Sequence, residues 1–153
     1  MKSQKILNSC IDNLNVTLQY YSEGDILTRD LYNRSPFEFE QFKLKNSTLT
    51  STPLYISYDN NYFSITNKTK TIVYASYIQQ DKFFSNDNFS GKLMISGSIE
   101  SFEESLTNYN YFFTIPVRNQ LRNEIAQNLE INILDYAANT ISISYKHSNP
   151  IYA

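Results

Sequence analysis

Apolar residues recur at every second position along most of this chain, and many of them are aromatic. Leu14, Val16, Leu18 and Tyr20 share one phase, while Asn15, Thr17, Gln19 and Tyr21 share the other. Side chains alternate between faces in a strand and recur every 3.6 residues in a helix, so a period of two selects β-structure. The pattern returns at 54–58, 63–65, 72–78, 93–99, 109–117, 129–133 and 141–145. Asn, Asp, Ser and Thr fill the gaps, giving turn signals about every 8–12 residues. This spacing predicts an all-β fold: an antiparallel β-sandwich (jelly-roll or Ig-like) or a partly open barrel, with one or two short helical turns. No strand–helix–strand alternation is present. At 153 residues the expectation is a single domain over 1–153, with 1–12 and 147–153 as possible terminal arms.

Several local features are specific enough to test. Phe37 and Phe39 are on odd positions, whereas Phe42 and Leu44 are on even ones. One face can hold all four only if an extra residue enters near Glu40 or Gln41, which predicts a β-bulge or a break. Asp59-Asn60-Asn61 reads as a tight turn between two strands, because Asn and Asp tolerate left-handed backbone. Asn67–Lys70 is the next turn. The segment 72–78 is apolar in both phases, which predicts a central strand covered twice. Residues 23–33 read as a loop with one helical turn, and 85–91 as a loop. Leu93, Ile95, Gly97 and Ile99 form one expected strand. Ser101 followed by Glu104 matches a capping box for a helical turn. Residues 109–117 form a long strand interrupted at Pro116, and 120–128 a helix or an irregular connection. Leu129, Ile131 and Ile133 should pair with Ile141, Ile143 and Tyr145, closed by 135–139.

Reactive chemistry is sparse. The chain has one His, one Cys and three Gly, against 13 Tyr and 10 Phe. A lone Cys10 excludes an internal disulfide framework. A serine triad would depend on His147, and a Cys-His pair on Cys10 and His147; both residues lie in the possible arms. Zinc needs clustered Cys and His. Oxygen-rich Asp59-Asn60-Asn61 and Asn86-Asp87-Asn88 lack the calcium-loop spacing, and turn chemistry explains them. No phosphate-binding glycine motif occurs. Carboxylate pairs drawn from Glu38, Glu40, Glu100, Glu103, Glu104 and Asp135 fit a solvated strand face or a helix start better than glycoside hydrolysis. The expectation is therefore a non-enzyme without catalytic residues, metal or cofactor.

Net charge is −2, and the 13 basic residues are scattered, which argues against a nucleic-acid groove. The N-terminal residues lack the apolar run of a signal peptide, and no stretch reaches membrane-helix length. A location in the cytoplasm or within an assembled particle follows as an expectation.

The tyrosines then carry the functional reading. Tyr20, Tyr58, Tyr74 and Tyr145 share the core phase, whereas Tyr21, Tyr55 and Tyr77 point the other way. Tyrosine is enriched at protein interfaces because its ring is apolar and its tip polar. Tyr21, Tyr55 and Tyr77 are the interface candidates of a structural or assembly subunit, as in a virion, phage tail or secretion machine, with protein subunits as partners. The alternative is a carbohydrate- or ligand-binding module, disfavoured by the absence of Trp. A β-rich membrane-active toxin ranks behind both.

Overall fold

The computed structural model describes residues 18–117, 127–135 and 140–146. Contacts divide the chain into two compact units, one over residues 16–116 and one made of 1–15 and 117–153. Cys10, His147 and both possible arms lie outside the described residues.

The 16–116 unit holds nine strands: β1 (Gln19–Glu23), β2 (Thr28–Asp30), β3 (Phe37–Leu44), β4 (Leu54–Asp59), β5 (Tyr62–Thr66), β6 (Val73–Ile78), β7 (Phe83–Ser85), β8 (Phe89–Ile95) and β9 (Asn110–Thr114). One helix, α1 (Ile99–Ser105), and 3-10 turns at Tyr32–Arg34 and Ser47–Leu49 complete it. The strands form two antiparallel sheets, ordered β2-β1-β9-β4-β5-β6 and β3-β8-β7. Their facing side chains make one core. Phe37, Phe89, Leu93 and Ile95 come from the smaller sheet; Leu54, Ile56, Phe63, Ile65 and Phe113 come from the larger. Phe39 meets Phe113 across the gap at a ring distance of 5.0 Å. The predicted sandwich is thus the fold, and among the described residues no barrel closes.

The predicted bulge is present. β3 pairs with β8 in register through Glu40↔Lys92, then resumes at Lys43↔Ser90. Gln41 takes a left-handed backbone (φ 52°). Phe37, Phe39, Phe42 and Leu44 consequently all turn towards the core, with charged residues between them. Gly91 lies opposite the inserted residue, where a Cβ would come within 3.3 Å of the Glu40 carbonyl oxygen. A side chain there would press the backbone of the bulge, which glycine avoids.

The two-residue turn between β4 and β5 also matches expectation. Asp59 pairs with Tyr62, and Asn60 and Asn61 both have positive φ (50° and 68°). This is the mirror-image turn that a twisted hairpin prefers. Asn61→Gly is expected to raise unfolding free energy by a few tenths of a kcal/mol, up to about 1, because glycine bears positive φ without a Cβ penalty. Urea denaturation would check it; a loss of stability would contradict this account of the turn.

Other expectations need correction. Segment 72–78 is not a central strand: β6 is an edge of the six-stranded sheet. Its pairing with β5 slips twice, and Tyr77 has φ 57°, so Ala75 and Ile78 face inward although they are three residues apart. Two bulges, rather than two covered faces, explain the apolar residues in both phases. Residues 23–33 hold strand β2 as well as the expected helical turn, and 85–91, expected as a loop, hold the last residue of β7 and the start of β8. The strand expected to reach Ile99 stops at Ile95; Gly97 (φ 89°) turns the chain. Helix α1 starts at Ile99 and is capped by Ser98, whose Oγ accepts from the Ser101 N–H at 3.1 Å. The cap is Ser98 and not the expected Ser101, because Ser98-Ile-Glu-Ser101 and Ser101-Phe-Glu-Glu104 both offer a serine three residues before a polar partner.

In the second unit, β10 (Leu129–Asp135) pairs antiparallel with β11 (Thr140–Tyr145). Leu129↔Tyr145, Ile131↔Ile143 and Ile133↔Ile141 pair as predicted. Residues 136–139 and 118–126 fall outside the described residues.

Candidate functional site

The phase of a side chain decides which side of the larger sheet it occupies. Tyr20, Ile56 and Phe113 face the core; Tyr21, Tyr55 and Phe112 face outward. Register then joins the last three, because Phe112 on β9 pairs with Tyr21 on β1 and with Tyr55 on β4. The Tyr21 ring stacks on Phe112 at 4.9 Å and the Tyr55 ring lies 5.0 Å away on the other side. Such cross-strand aromatic contacts are a stabilising unit of sheets in their own right. Phe112 is buried, and Tyr21 and Tyr55 are half-buried. Two of the three interface candidates therefore flank Phe112 in one aromatic row on the outward side of the larger sheet. Phe112 was not singled out from the sequence, although its phase, opposite to Tyr111 and Phe113, was the available signal.

An ion pair borders this row. Lys68 Nζ lies 2.6 Å from Glu23 Oε1, and the Tyr55 hydroxyl donates to Glu23 Oε2 at 3.3 Å. Burial pushes the Tyr55 phenol above its ordinary value, and the Glu23 carboxylate adds to the effect. The carboxylate likewise raises the Lys68 ammonium, mainly by hydrogen bonding. Beside the pair, the β1–β2 turn, the segment between α1 and β9 and the β5–β6 turn enclose an open cleft of about 290 Å³. Glu23, Asp25, Lys68, Asn108, Tyr109 and Asn110 line it.

Tyr77 sits elsewhere. It packs edge-on against Tyr62 at 5.4 Å and is 77% exposed. Val73, opposite Thr66 on β5, is 57% exposed, and the adjoining Ile72 is 51% exposed. The ten residues from Thr71 to Gln80 carry no charge. The opposite edge, β2, carries Arg29 and Asp30. Asn86 and Asn88 each donate a side-chain amide to the Tyr74 carbonyl at 2.9 Å, which blunts the β6 backbone at that point.

The carboxylates weighed for catalysis are spread out. Glu38 and Glu40 are exposed on β3, with Glu40 3.9 Å from Lys92. Glu100, Glu103 and Glu104 are exposed on α1. The side chain of Asp135 is outside the described set. Among the described residues, no three His, Cys, Asp or Glu gather as a metal set, and no helix is long and apolar enough to cross a membrane. No protein-family model matches this chain, and no curated protein matches it.

Proposed function

We propose that this chain is a non-enzymatic subunit of a larger protein assembly, of the kind built into virions, phage tails or secretion machines. It docks its protein partners through the tyrosine-bearing outer face at the β5–β6 edge. The observation that carries this reading is that Ile72, Val73 and Tyr77 are each more than half exposed along an edge strand and its approach, within a ten-residue uncharged stretch. Interface centres are depleted in charge and enriched in aromatic residues, and tyrosine is a frequent anchor. Large apolar groups left in water on a free edge invite association.

Size-exclusion chromatography with light scattering, alone and with candidate partner subunits, is the direct test. A complex is expected, and Tyr77→Lys should weaken it about 30-fold or more, matching loss of an anchor worth about 2 kcal/mol. Circular dichroism would establish that the variant remains folded. A monomer at every concentration and with every partner, or a complex indifferent to Tyr77→Lys, would overturn the assignment.

A further inference from the structure

We infer that the cleft beside the Glu23–Lys68 pair binds a single neutral sugar ring. Its walls are polar and mixed in kind. Asp25 and Glu23 offer acceptors, Lys68 offers donors, and the Asn108 and Asn110 amides offer both. Adjacent hydroxyls on a pyranose each donate and accept, so alternating acceptors and donors suit them better than they suit an ion or an apolar ligand. Tyr109 supplies a half-exposed ring at the same wall. Gly24, at the β1–β2 turn, lies beside that ring. An aromatic face packs against the C–H side of a sugar while the amides meet its hydroxyls.

Size and charge narrow the class further. At about 290 Å³ the cleft is at the lower limit of small-molecule sites, which span roughly 300–1,000 Å³, and so fits one ring rather than a chain. Two carboxylates against one ammonium leave a slightly negative lining, which disfavours acidic sugars. One wall is already positioned: Glu23 is held by Lys68 at one oxygen and by Tyr55 at the other, and its side chain is only 21% exposed. A ligand meets a fixed carboxylate there rather than a mobile one, which reduces the ordering cost of binding. Tyr77 is not among the residues lining the cleft, so its substitution separates this inference from the assembly reading.

The test is titration of the full chain, followed by NMR, with methyl glycosides of glucose, galactose, mannose and N-acetylglucosamine, and with glucuronic acid as the acidic control. Saturable shifts at the cleft residues are expected for at least one neutral glycoside, with Kd on the order of 1 mM. Asn110→Ala and Asp25→Ala, both at exposed positions, should each weaken binding several-fold, and Tyr109→Ala about tenfold or more. Tyr77→Lys should leave it unchanged. No saturable shift with any neutral glycoside, preference for glucuronic acid, or binding untouched by both Asn110→Ala and Asp25→Ala would each overturn the inference.

Discussion

Phe37→Ala is expected to remove about 3–5 kcal/mol of stability, the largest effect of any single change considered. Phe37 is fully buried and opens the inner face of β3. Its ring meets those of Tyr20, Phe39, Phe102, Tyr111 and Phe113 at 5.2–6.4 Å, mostly edge to face. Those partners come from the six-stranded sheet, the three-stranded sheet and α1. Truncation therefore leaves a cavity where all three meet, and rigid sheets cannot collapse to fill it. Total stabilities are about 5–15 kcal/mol, so the variant should be largely unfolded well below the wild-type midpoint. Urea denaturation followed by far-UV circular dichroism would measure this. A loss below about 1 kcal/mol would mean that Phe37 is not at the centre of the core.

The second large effect is a loss of stability in alkali through Tyr20. Burial pushes its phenol up to about 12, from an ordinary 10.0; the hydrogen bond from the Phe39 N–H opposes this, and Glu38 adds to it. The folded state thus favours the neutral phenol. Tyr20 stabilises the fold fully below pH 10, and this contribution is lost as pH rises from 10 towards 12, where the unfolded chain ionises first. A separation of about two pH units corresponds to about 2–3 kcal/mol when the loss is complete. Tyr20→Phe separates this from the other tyrosines. The hydroxyl accepts from the Phe39 N–H at 2.9 Å, joining the two sheets, so its removal should cost about 1–2 kcal/mol at neutral pH. The same variant should lose less stability than wild type between pH 10 and 12. Equal alkaline losses in the two proteins would exclude Tyr20 as the titrating group.

Local features were legible wherever a single residue decided them. The bulge at Gln41 followed from the phase change between Phe39 and Phe42, and the β4–β5 turn from Asn60-Asn61. The pairing of β10 with β11 followed from two apolar runs in matching phase. Features decided by partners were not legible. Ile72, Val73 and Tyr77 look like a twice-covered strand in sequence, yet nothing in an apolar run says whether a neighbouring strand exists. Tyr21, Tyr55 and Tyr77 share a phase, but phase assigns only a face and not a position upon it. Register with Phe112 drew Tyr21 and Tyr55 into one stack, and the edge position of β6 left Tyr77 in water. The Glu23–Lys68 pair joins residues 45 apart, across a turn geometry that no local pattern encodes.

Sequence alone determined that this chain makes antiparallel strands, where one of them must bulge, and which face of most strands is apolar. Those properties follow from backbone sterics and side-chain alternation, which act within a few residues. Tertiary structure alone decided which strands lie at the edges, which tyrosines stack and which are exposed, and where acids, amides and an aromatic ring gather into a cleft. Strand order sets all of these, and it depends on the packing of the whole core at once.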